Sequence, residues 1–147
     1  MSEKERVFYP PVGTGNIELK LSREESGGAI SVFVQTLPAG EGTNTHLHTN
    51  CEETGYVLEG CIRVHQGDEV AELGVGESCF VPRGVPHAIV NAGDTDARFL
   101  FVTTPGGLEE YFREISDRDT NNPGPTGQQR NIALKHGLEV VGPAPGV

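Results

Sequence analysis

The chain has 147 residues, 35% of them apolar, with 21 acidic against 11 basic side chains and a formal net charge of −10. This length suits a single domain with a real core, and the charge disfavours phosphate backbones and anionic lipid surfaces as partners. No apolar run approaches the roughly 18–20 residues that cross a bilayer, and the charged amino terminus MSEKERVFYPP lacks the apolar stretch of a secretory signal. A cytoplasmic location is therefore expected, with neither nucleic acid nor membrane as partner.

Residues 1–16 read as a polar arm, extended against the rest of the chain or a second subunit. Between Ile17 and Leu21, and again from Ala29 to Leu37, apolar and polar residues alternate, with Ile30, Val32 and Val34 on one face and Ser31, Phe33 and Gln35 on the other. Such a period of two marks half-buried strands. Further strands are predicted at Thr45–His48, Gly55–Glu59, Cys61–Gln66, Glu69–Leu73, Ser78–Pro82, His87–Asn91 and Arg98–Thr103, with glycine-rich turn signals between them. Many short strands at regular spacing indicate an all-β sandwich or barrel over residues 17–105. The pattern then changes. Leu108, Tyr111, Phe112 and Ile115 recur at helical spacing, with Glu109 and Glu110 in the first turn and Arg118 near the end, where each suits the helix dipole. Residues 119–127 read as a loop, QQRNIALK as a second short helix ending at Gly137, and Pro143–Val147 as a tail. The whole, 1–147, is expected to be one domain whose part from 106 onward is a helical segment and tail.

Two short motifs carry the chemistry. In the first, Gly40, His46, His48, Glu53 and Gly60 stand at set spacings; in the second, Gly76, Pro82, Gly84, His87 and Asn91 do. Imidazole nitrogens and a carboxylate form a ligand set that divalent Fe, Mn, Co, Ni, Cu and Zn accept. On a strand alternate residues face the same way, so His46 and His48 project toward one point. The three cysteines, Cys51, Cys61 and Cys79, are odd in number and lack metal-finger spacing, which fits free thiols. Cys51 reads as a small loop residue without a ligand role, His65 as an ordinary exposed histidine and His136 as a helix-end residue. Gly40, Gly60, Gly76 and Gly84 read as turn residues that need unusual backbone angles.

With every position filled, the two motifs resemble the signature pair of the cupin superfamily. That resemblance implies a double-stranded β-helix, a jelly-roll barrel with one or two short C-terminal helices, holding one divalent transition metal on His46, His48, Glu53 and His87. Three further blocks, Tyr56–Gly60, Thr104–Glu109 and His136–Pro143, resemble a bacterial single-domain group often compared with quercetin 2,3-dioxygenase. Two residues after the ligand glutamate, where that group often carries an aromatic, this chain has Gly55; by strand parity it faces with Glu53, and a pocket widened there is one reading, a glycine kept for backbone reasons the other.

Three imidazoles and a carboxylate leave positions open on a five- or six-coordinate ion, which favours Fe, Mn, Ni or Co over a closed zinc site, though zinc remains possible. The expected function is that of a non-haem, dioxygenase-type oxidoreductase. A small enolic or phenolic substrate would meet O2 in the barrel, with Glu53 as catalytic base. A redox-neutral isomerase or lyase and a non-enzymatic small-molecule-binding cupin are the alternatives. A homodimer is expected, because small cupins commonly bury an edge strand.

Overall fold

The computed structural model describes Ser2, residues 5–10, 13–116 and 127–146. Eleven strands and two helices follow one another: β1 (Val7–Phe8), β2 (Asn16–Leu21), β3 (Ser31–Leu37), β4 (Thr45–His48), β5 (Glu52–Glu59), β6 (Ile62–Gln66), β7 (Glu69–Leu73), β8 (Ser78–Val81), β9 (His87–Val90), β10 (Ala97–Thr104), α1 (Glu109–Ser116), α2 (Gly127–Lys135) and β11 (Leu138–Gly142). They form two antiparallel sheets, β1-β2-β3-β10-β5-β8 and β11-β4-β9-β6-β7, which enclose the core between them. This is the double-stranded β-helix that the sequence predicts, and no helix falls between Gly40 and Asn91. Among the described residues, no helix is long and apolar enough to cross a membrane.

Alternation decides which side chains enter. On β3 the inward row is Ser31, Phe33, Gln35 and Leu37, all at most 6% exposed. The row that looks most apolar in the sequence is thus not the row that builds the cavity, since Ile30 and Val32 remain partly exposed. Across the sheet Phe33 faces Phe101 on β10, and their rings stack at a centroid distance of 4.7 Å. Turns follow the glycines: Gly40, Gly60, Gly76 and Gly84 have positive φ between 72° and 86°. At Gly60 this is obligatory, because a Cβ there would also stand 2.8 Å from the carbonyl of Asp96.

Both ends of the chain extend the sheets beyond 17–105. In the arm, Val7–Phe8 pairs with β2 of the same chain, and Phe8 is fully buried against Phe112 of α1. Residues 138–142, to which the sequence reading assigns no element within its helical segment and tail, instead form β11 and pair with β4, Leu138 opposite His48 and Val140 opposite His46. The reason is tertiary: after α2 ends at Gly137 (φ 80°), the exposed edge of β4 offers unpaired backbone groups that a short extended segment satisfies. Arg118, the loop 119–126 and Val147 lie outside the described residues.

Helix α1 is docked by a buried carboxylate. Glu109 is completely buried at the first turn, where its Oε2 accepts from the Arg23 amide at 2.7 Å and its Oε1 from Ser31 Oγ at 2.6 Å and the Gly107 amide at 3.1 Å. A negative charge there also suits the positive end of the helix dipole.

Candidate metal centre

Three histidines converge from one sheet. His46 and His48 alternate on β4, and His87, the first residue of β9, is the register partner of His46. The loop before β9 is pinned back onto β4 by the Gly84 amide, which donates to the carbonyl of His48 at 2.7 Å. Ring centroids lie 4.3 to 5.3 Å apart, and one nitrogen from each ring falls within 4.8 Å of the others. Glu53 enters from the opposite sheet, on β5, where Val81 of β8 and Thr103 of β10 flank it. Its Oε2 stands 3.0 Å from His87 Nε2, an ion-pair distance off the line that a hydrogen bond needs.

The donors fit a cation. His46 Nδ1 donates to the Asn44 carbonyl at 2.7 Å and His87 Nδ1 to the Val85 carbonyl at 3.1 Å, which fixes each tautomer and turns the Nε2 lone pair toward the centre. Both ring nitrogens of His48 are buried without any hydrogen-bond partner, as is His87 Nε2. Buried imidazole nitrogens are costly when orphaned, and a shared ion satisfies them together. Glu53 is not one of the three mutually close donors; it stands beside them through its 3.0 Å contact with His87 Nε2. Neither Cys51 nor Cys79 joins it. Burial, reinforced by the Glu53 charge, pushes the Cys51 thiol up to about 12 and raises Cys79 as well, so both remain protonated.

Burial, then the neighbouring imidazoles, push His46 down to about 3; burial also lowers His48. Burial alone would raise Glu53, but the contact with His87 and the fields of all three rings prevail and bring it to about 2. His87 is disfavoured as a cation by burial, yet its contact with Glu53 outweighs this and raises it. Glu53 is therefore the anion of the site, and His87 is the imidazole that it favours as a cation.

The cluster opens into a cavity between the sheets. The space open to the centre of a water molecule is about 80 Å³, room for roughly five to eight such molecules on the scale of a minimal water site. Ile17, Leu37, Ile89, Phe99 and Phe101 line it from the sheets, while Leu108, Tyr111 and Phe112 of the α1 region and Leu138 and Val140 of β11 wall the open end. No lysine or arginine is among these lining residues. Of the aromatics named in the sequence, Phe99, Phe101 and Phe112 reach the cavity; Phe33 is core, and Tyr56 lies outside at 44% exposure.

A pocket widened at Gly55 does not occur. Gly55 faces its register partner Cys79, whose Sγ would stand 3.1 Å from an added Cβ, and it is absent from the lining. The thiol fills the space that a side chain would have taken. Sequence reasoning also missed Gln35, Tyr111, Leu138 and Val140. The signal for Gln35 was available, since it shares strand parity with Phe33 and Leu37; the other three depend on how the C-terminal segment packs.

The fold and site define a class: a small double-stranded β-helix protein with three histidines positioned to bind a metal ion. The chain belongs to the cupin family, whose cupin-domain model matches residues 33–103. It is 32% identical to the oxalate-binding protein of Thermotoga maritima across 67% of this chain and 84% of that protein. With the tetracenomycin polyketide synthase protein TcmJ of Streptomyces glaucescens it shares 35% identity over 67% of each chain. Among solved structures, a predicted oxalate decarboxylase from Thermotoga maritima superposes with a TM-score of 0.64 at 25% identity, covering 71% of this chain and 96% of the other.

Proposed function

We propose that this protein is a metal-dependent oxidoreductase of the dioxygenase type acting on a small phenolic or enolic substrate, with His46, His48, Glu53 and His87 around the ion. The observation that carries this reading is the three-imidazole cluster on an aromatic cavity in whose lining, among the described residues, there is no lysine or arginine. Such a wall suits flat apolar rings, with any charge on the substrate met at the ion alone. A phenol or enol arrives neutral and ionises only beside the ion. The blocks that resemble the quercetin 2,3-dioxygenase-like group agree with this choice.

A divalent cation held by the histidines acidifies an oxygen ligand and, if redox-active, admits chemistry with O2. The remaining work belongs to the chain. Glu53 accepts the hydroxyl proton of the substrate, which the ion has already acidified. The carbonyls of Asn44 and Val85 keep His46 and His87 in the ligating tautomer. Leu108, Phe112, Leu138 and Val140 exclude water, so that the substrate anion meets O2 rather than a new proton. Both oxygen atoms enter the product, and no further reductant is needed.

Similarity to a polyketide synthase protein favours a second reading, in which an enolisable carbonyl is polarised and Glu53 moves a proton without consuming O2. One experiment separates the two. The protein is loaded in turn with Fe(II), Mn(II), Co(II), Ni(II) and Zn(II), and O2 uptake and product mass are followed with catechols, flavonols and 1,3-diketones. Equimolar O2 uptake and a product heavier by two oxygen atoms are expected. Product without O2 uptake selects the redox-neutral reading, and ligand binding without any product sinks both.

A further inference from the structure

We infer that Gln35 positions the substrate by holding an oxygen at the end remote from the histidines. This rests on the phenolic reading above and narrows its substrate class to molecules of two or more fused or linked rings carrying a second hydroxyl or carbonyl. Gln35 lies on the inward row of β3 between Phe33 and Leu37, with Phe99 and Ile17 as its cross-strand partners. It is 6% exposed, it lines the cavity, and its amide makes no hydrogen bond to any described residue. A primary amide carries two donors and an acceptor, and that of Gln35 is not among the sealed, unpartnered polar atoms: it opens onto the cavity. Ser31, on the same row, shows how a polar side chain that serves the fold behaves, for it donates to Glu109 at 2.6 Å. Gln35 has no such role, and its hydrogen-bonding capacity is directed at whatever enters the cavity.

Sheet register sets the length of the ligand. Glu53, Thr103 and Ser31 form one cross-strand row, and Val57, Phe99 and Gln35 another. The rows are four residues apart, ~13 Å along the strands. The amide is thus set apart along the sheet from the metal-binding end, which favours a ligand longer than one six-membered ring. Phe99 and Phe101 line the cavity as flat apolar surface for such rings.

The test uses 2,3-dihydroxynaphthalene, which offers a chelating oxygen pair, and 2,3,6-trihydroxynaphthalene, which adds a hydroxyl on the far ring. Both are titrated into cobalt-loaded protein and followed by the visible spectrum of the ion, and metal content and Tm are measured for every variant. Wild type is expected to bind the trihydroxy compound about tenfold more tightly, the worth of one well-made hydrogen bond. Gln35→Met keeps the length and removes the amide. It should abolish the preference, leave the dihydroxy affinity and metal content unchanged, and keep Tm at or above that of wild type. Gln35→Glu, which can still accept from the hydroxyl, should restore part of the preference. If Gln35→Met keeps the preference, or folds less stably than wild type, the amide is not a substrate group and the inference fails. Equal binding of both probes by wild type overturns it while leaving the phenolic reading in place; failure of both probes to bind overturns the two together.

Discussion

Glu53 is proposed both to approach the ion and to accept the substrate proton, and substitution separates the two roles. Glu53→Gln removes the acceptor while three imidazoles, two of them braced by backbone carbonyls, remain to hold the ion. We expect the variant to keep most of its metal by atomic absorption and to lose turnover by about 100- to 10,000-fold, the usual loss of an acid–base group. Loss of metal in proportion to activity would make Glu53 chiefly a ligand. At this scale His46 and His48 were legible because their spacing encodes strand parity, which survives folding unchanged, whereas His87 and Glu53, on other strands, were placed only by the resemblance of the two motifs. Gln35 shares parity with Phe33 and Leu37, but a polar residue on an alternating strand reads first as the solvent face, and the burial of Ser31 and Gln35 shows that this row points inward.

The Glu109 carboxylate ties the first turn of α1 to β3 and to the loop that carries Arg23, beside the packing of Phe112 on Phe33 and the Glu110–Arg23 ion pair. Glu109→Ala leaves the Arg23 amide and Ser31 Oγ without that acceptor, and the Gly107 amide with Ser31 Oγ alone. Urea unfolding should show a loss of about 2–4 kcal/mol, from uncompensated buried donors; a loss below about 0.5 kcal/mol, the size of an ordinary surface change, would remove the carboxylate from the stability account. On the outer side, Glu114 of α1 accepts from Lys135 Nζ at 2.6 Å and His136 Nε2 at 2.8 Å, a tie between α1 and the end of α2. These partners lower its pKa below the ordinary 4.5. A depressed carboxylate contributes stability that is present above its unfolded value and lost as the pH falls through its folded value. Melting curves of wild type and Glu114→Gln should therefore differ at neutral pH and converge in acid, and a constant offset down to the acid limit would refute the linkage. Elements made by local pattern were readable, Thr45–His48 and Glu69–Leu73 to the residue. β11 was not, because its reason for being extended lies on β4, some ninety residues earlier in the chain.

At the scale of the molecule, the two sheets are unequally protected. β8 ends the six-stranded sheet, and beside its free edge Phe80 and Tyr56 are 54% and 44% exposed on the outer face. An edge of that kind invites pairing with a second copy. We expect twice the monomer mass by light scattering at micromolar concentration, and a shift toward monomer in Phe80→Lys; a monomeric wild type would refute the dimer. The other sheet holds the histidines on β4, which is covered only when β11 arrives. Because synthesis runs from the amino end, every other strand of that sheet has been made before the segment that shields β4. A nascent chain therefore passes through a stage in which the imidazole-bearing strand is a raw border, open to other nascent chains on the same messenger. Among the described strands β11 is the last to be made, and its pairing is what removes that border.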